Sequence, residues 1–547
     1  MILFGALIVP LIYILGILSL SSLSIRGFNE VILYQYFPVQ YTFANLVEYL
    51  IKPITVISGT LLIILFPGVL FAPLFFKNKE RFSLARFFSV GFVINVGLLF
   101  LGTTLLKICG IAISRFWFIA TVLIGTLAGL CVFFRASGVL AAHKIAEYKK
   151  ESIYILLLIC IIIGFVLFFH NDVLSPLPVN FDYSEKSVLN TDFTKISDFH
   201  EEFGIPYYLK TRILPYWLIK SLNRFGIYLY QPQLSYFLNF FAMTVFGESY
   251  AAMSFLALAF SAGIFLFIYK IICMNSHSRS NILSFIVPAF FMLSFLLLLR
   301  ESTRRPDLPF MSWPETSVSN TIDCFWIFAI VGMIFFLCRN DSAFSFLYAC
   351  LATLCKYESI LCVFILATIY YYLFKENRVF IKRVLKLYVI FLILFGIYSL
   401  VLCVAQKGGA SYLSELLYDR IFIRYDFMRN FAKNSFNFTT AEEPIWAHFE
   451  WAATWKFIKL SLLSTYFFIV LFLIPTRDRI GSFLSAFCII FLLLMVTQSM
   501  KLSTYALMLV PLSAVGIRRF IYPSIKMKLF NMALYIFILF IYTRFLK

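Results

Sequence analysis

Six carboxylates, Asp182, Glu185, Asp192, Asp198, Glu201 and Glu202, fall in one polar stretch that follows the apolar run Ile153–Phe169. A carboxylate held near a reacting hydroxyl can take its proton as it attacks, the work of a general base. Asp182 and Glu185 lie about a dozen residues beyond the apolar run, close enough to a membrane surface to meet a lipid-linked substrate. The plain alternative for any one of them is a solvated acidic loop. Further on, Trp446-Ala447-His448-Phe449-Glu450-Trp451 and Trp455 set aromatic rings beside a His and a Glu. Such a group can form a sugar or acceptor platform, although Trp at a membrane boundary is more often an interfacial anchor. His200 and His448 stand too isolated to argue for a metal site.

Whatever positions these groups must be apolar. Of 547 residues 62% are hydrophobic and 13% charged, and mean hydropathy is +0.90, far from the soluble balance of about half apolar and a quarter charged. The expected fold is all-α, a polytopic transmembrane bundle. Barrel strands alternate, whereas Ile153–Phe169 is continuously apolar and Leu387–Ala405 nearly so, both at roughly helix-spanning length. The excess of 46 Lys and Arg over 27 Asp and Glu suits basic loops that orient spans better than a nucleic-acid partner. Most of the 11 cysteines lie within apolar runs and none forms a C-x-x-C pair, so they read as small hydrophobes. Met1–Leu20 has neither a basic leader nor a small-residue cleavage site, and reads as a retained first span.

Hydropathy places spans near 3–23, 54–76, 87–107, 116–134, 152–169, 251–273, 281–299, 323–338, 343–355, 359–374, 388–405, 457–475, 481–498, 505–517 and 529–543, roughly 13–15 crossings. The basic clusters Lys77–Arg81, Lys144–Lys150, Lys375–Lys386, Arg477–Arg479 and Arg518–Lys528 then share one side, expected to be the cytoplasm. Three large loops, about 170–232, 300–322 and 406–455, face the other way. Residues 1–150 read as a four-span module and 151–547 as a second module. Phe66-Pro67-Gly68 interrupts a span, which is tolerable where neighbours satisfy the freed carbonyl.

The first outer loop ends in Gln231-Pro232-Gln233-Leu234, followed by an amphipathic apolar run closing in Val245-Phe246-Gly247-Glu248-Ser249. This order resembles the GT-C glycosyltransferases, in the branch of the protein O-mannosyltransferases and the aminoarabinose transferase of lipid A. There an outer loop runs into a His-Pro-Pro-Leu-like turn, an interfacial helix, a Phe-Gly-Glu/Ser step and a span. Gln231 and Gln233 stand where that pattern has its His and second Pro. Further features follow in the same order: the loop from Arg304-Arg305 through Glu315 to Asp323, then Lys356-Tyr357-Glu358, then Lys501-Leu502-Ser503-Thr504-Tyr505 before Leu509-Val510-Pro511-Leu512. The resemblance covers about residues 150–520.

It implies transfer of a sugar from a polyprenyl-phosphate donor to a glycan, lipid or protein acceptor, with inversion, on the extracytoplasmic side of a plasma (inner) membrane. Asp182 is then the expected base, with Glu185 or Asp198 as alternatives. Arg304, Arg305, Lys356 and Lys501 are expected at the outer interface as phosphate ligands, with Glu358 fixing the direction of Lys356 and with Glu315, Asp323 and His448 completing the substrate site. No metal site is assigned, and a divalent ion, if one binds, would take acids of the first two loops. The rival classes are a transporter or flippase for lipid-linked saccharides, expected to carry charge near the bilayer midplane, and a polysaccharide polymerase. Cysteines placed at Ser187, Ser317 and Ser411 should all react with a membrane-impermeant thiol reagent from the outside; labelling from the cytoplasmic side would overturn this topology.

Overall fold

A computed structural model describes residues 2–24, 27–31, 33, 43–75, 84–111, 113–136, 145–168, 233–247, 251–274, 282–302, 321–405, 478–496 and 507–515, and among them all regular structure is helical. The helices are α1 (Ile2–Ser24), α2 (Phe43–Ile64), α3 (Leu84–Ile108), α4 (Arg115–Ala136), α5 (Ile145–Phe168), α6 (Gln233–Phe246), α7 (Ala251–Cys273) and α8 (Ile282–Ser302). They continue with α9 (Thr321–Cys338), α10 (Ser342–Cys355), α11 (Ser359–Leu373), α12 (Arg378–Ala405), α13 (Arg479–Val496) and α14 (Leu509–Val515). Six stretches among the described residues are long and apolar enough to cross a membrane: Leu3–Leu23, Leu50–Phe75, Ala85–Leu106, Arg115–Arg135, Glu151–Phe168 and Ser254–Cys273. The spans expected at 457–475 and 529–543 lie outside the described residues. The chain divides into two compact units, the first holding α1–α6 and the start of α7, the second holding the rest of α7 and α8–α14.

In the first unit the second span breaks at Pro67 and resumes as a 3-10 helix, Gly68–Phe75. Proline has no N–H, so the carbonyl of Ile63 loses its helical donor. Phe66 N–H reaches back to Leu61 O instead of Leu62 O, so a second carbonyl is freed. One buried carboxamide meets both needs. Asn95 of α3 donates through Nδ2 to Leu62 O at 2.8 Å and Ile63 O at 2.7 Å, and its Oδ1 accepts from Gly68 N–H at 3.1 Å. Gly68 is required by this close approach, because a Cβ there would stand 2.1 Å from Gly91 O.

α6 departs from expectation. Its apolar run reads as an interfacial amphipathic helix, yet Phe237 to Phe246 are buried on every side. Residues Phe237, Leu238, Phe240, Phe241, Ala242, Met243, Val245 and Phe246 leave no broad polar face to turn toward water. The helix packs with the N-terminal spans: Tyr13 OH donates to Val245 O at 2.5 Å, Leu33 N–H to Phe246 O at 2.9 Å, and Phe237 stacks edge-on against Phe100 at 4.8 Å. Gly247, at φ 96°, takes the left-handed turn that ends α6.

In the second unit α9 is the central element. Cys324 to Leu337 are buried throughout, as expected of a helix apolar on all faces. Phe267 of α7 meets Phe328 at 5.4 Å, Phe335 at 5.2 Å and Tyr348 at 5.7 Å, and Gly332 leaves room for the Tyr348 ring, which a Cβ would meet at 2.2 Å. α10 and α11 form a hairpin. Thr353 and Tyr388 share a hydrogen bond of 2.6 Å that ties this hairpin to α12.

Replacing Asn95 by Leu should strand two carbonyls and one N–H in an apolar interior, at about 1–3 kcal/mol for each buried group left unmet. The expected result is a large fall in the unfolding temperature in detergent, with Asn95→Gln intermediate; an unchanged transition in Asn95→Leu would show that the break is satisfied some other way.

Candidate functional site

The second unit carries polar residues at two ends. At one, the turn between α9 and α10 passes through Asn340, held in the left-handed region at φ 58°. Its Oδ1 accepts from Tyr370 OH and from Asn377 Nδ2, the latter at 2.9 Å, and Asn377 also donates to Tyr370 OH at 3.1 Å. Glu376 and Arg479, both exposed, form an ion pair at this end. Two of the basic clusters that hydropathy assigns to one side therefore do meet.

At the other end Asp323 and Lys356 form a buried ion pair, each side chain 7% exposed. Asp323 lies in the first turn of α9. Lys356 is the C-cap of α10, in extended conformation at φ −151° and ψ 131°, with its own N–H returned to Ala352 O. The carboxylate therefore sits at a helix N-terminus and the ammonium at a helix C-terminus, where the helix dipoles favour each sign. The ammonium also lies 5.0 Å from the ring centroid of fully buried Trp326, a cation–π arrangement that gains strength when desolvated. Ser359 Oγ closes the turn by donating to Ala352 O at 2.7 Å.

Helix length sets where this pair lies. The 14 residues of α10 and 15 of α11 rise about 21 and 22 Å. At the hairpin tip Tyr357 faces Phe395 of α12, with ring centroids 6.2 Å apart. α12 continues through residues 396–405, about 15 Å further. The hairpin tip is thus past the middle of the longest helix described, and about 15 Å short of its end.

Compared with protein-family models, with curated proteins and with solved structures, the chain matches none. Its own geometry is what bears on function.

Of the residues expected at a site, the structure brings Asp323 and Lys356 together and places Glu358 two residues on, at the N-cap of α11 without a side-chain capping bond. Glu358 is expected from sequence to direct Lys356; the structure pairs the Lys356 ammonium with Asp323. Asp182, Glu185, Asp198, Arg304, Arg305, Glu315, His448 and Lys501 lie outside the described residues. Among the described residues no group of three metal-binding side chains occurs. Trp326 was not singled out from sequence, yet a signal was present: it stands three residues after Asp323, hence on the same helical face.

Breaking a buried pair leaves an uncompensated charge, whereas replacing both partners by apolar groups can be neutral. Lys356→Met alone should destabilise the chain by about 3–5 kcal/mol, and Asp323→Leu with Lys356→Met should recover most of that loss in thermal unfolding. A double variant as unstable as the single would show that the two charges are not coupled.

Proposed function

We propose that the chain is a membrane glycosyltransferase that moves a sugar from a polyprenyl-phosphate donor to an acceptor hydroxyl on the extracytoplasmic face, with inversion at the anomeric carbon. The observation that carries this reading is the convergence of two residues expected at the substrate site, Asp323 and Lys356, 33 positions apart, into one desolvated cluster. Asp323 directly follows the second polar loop, so the cluster lies where that loop enters α9.

In this reaction the acceptor hydroxyl attacks the anomeric carbon while a carboxylate, Asp182 in our reading, takes its proton. The bond from the sugar to the phosphate oxygen breaks, and the electron pair stays on the phosphate. A cation beside that oxygen steadies the growing charge, and Lys356 serves as such a point charge more readily than as a bidentate fork. A low-dielectric setting strengthens the effect.

One observation favours a second reading, a transporter or flippase for a lipid-linked saccharide. Intramembrane charges commonly mark substrate pathways, and the hairpin tip beside the pair stops about 15 Å short of the end of α12. Transfer of radiolabelled sugar from polyprenyl-phosphate donors in membranes separates the two. Asp182→Asn should lower transfer by about 100-fold or more, in line with loss of a general base. Unchanged transfer in that variant would remove Asp182 as base, and translocation of labelled lipid-linked saccharide without transfer from any donor would favour the transporter.

A further inference from the structure

The two polar ends of the hairpin are about 22 Å apart along α10 and α11, whereas the hydrocarbon core of a bilayer is about 30 Å thick. One end must therefore lie inside the membrane. The end bearing Lys375, Glu376, Lys382 and Arg383 exposes its charges, so it belongs at the interface. The shortfall of about 8 Å then falls on Asp323 and Lys356. α12 gives the same answer independently, since it rises past the hairpin tip by residues 396–405. A lysine at the outer boundary would need no counterion; one below it does, and Asp323 supplies it.

We infer that Asp323 is an exchangeable counterion, occupying on Lys356 the place that the phosphate of a lipid takes when it binds, so that this phosphate is seated below the level of the ordinary headgroups. The inference rests on the lipid-phosphate reading above and adds depth and exchange to it. Three features fit it. The cation keeps a second hold, on Trp326, while its anionic partner changes. The carboxylate and a phosphate oxygen are both anionic acceptors for the same ammonium. The flank of α12 level with the tip, through Ile393, Leu394 and Ile397, is exposed and apolar, as an isoprenoid chain needs.

The test uses the full chain in phosphatidylcholine nanodiscs, titrated with geranylgeranyl phosphate, with geranylgeraniol, and with inorganic phosphate, reading the ligand-dependent rise in unfolding temperature. Wild type should respond to geranylgeranyl phosphate and to neither of the others. Asp323→Asn should bind it about tenfold more tightly, since the competing internal anion is gone, and Lys356→Gln should lose the response. If either single variant fails to fold, the doubly neutral Asp323→Asn/Lys356→Gln chain decides, and it should fold and give no response. A wild-type response in the double variant, a weakened response in Asp323→Asn, or an equal response to inorganic phosphate would each overturn the inference. Binding without sugar transfer from any donor would sink the transferase reading and leave this one standing; undiminished transfer by the double variant would do the reverse.

Discussion

In hydrocarbon, a polar group has no water to fall back on, so each must find its partner within the protein. Much of what distinguishes this chain from a simple stack of apolar helices answers that requirement. Where the second span breaks, one carboxamide of α3 serves two carbonyls and an amide at once. Where the hairpin of α10 and α11 turns, a carboxylate, an ammonium and an indole ring serve one another. Both devices draw a side chain from a neighbouring helix, so a local irregularity becomes a tertiary contact. They differ in what they hold: the amide meets neutral backbone groups, while the pair separates full charges, whose desolvation is much dearer and therefore harder to explain as mere packing.

Helix positions were largely legible, because continuous apolar runs of the right length leave few alternatives. Spans expected at 3–23, 87–107, 116–134 and 251–273 fall within α1, α3, α4 and α7 to within a few residues. Depth was not legible. Hydropathy gives 343–355 and 359–374 as two short apolar segments, and the structure adds that α12 runs on past the turn between them. The fate of α6 was hidden for a related reason: its letters show that it avoids water, without showing whether lipid or protein replaces it.

The site was half legible. Asp323 and Lys356 stand out as charges flanking apolar segments, but their pairing spans 33 positions and no local rule supplies it. A neighbour two residues away, Glu358, is the natural guess from sequence. The fold brings Asp323 to Lys356 because α9 runs through the centre of its unit and offers its first turn at that level. Trp326 follows from the same geometry, one turn along the face that carries Asp323.

α6 also bears on how the protein comes to exist. Tyr13 and Val245 are 232 positions apart, and their hydrogen bond, with that of Leu33 to Phe246, joins α6 to helices that precede it by far in the chain. During synthesis those helices enter the bilayer long before α6 leaves the ribosome, with the hydroxyl of Tyr13 and the small-residue surface at Gly59 still waiting for their partner. These spans are thus inserted before α6 and finished late, and the interval between is when an insertase or chaperone that shields polar groups within the membrane has most to do.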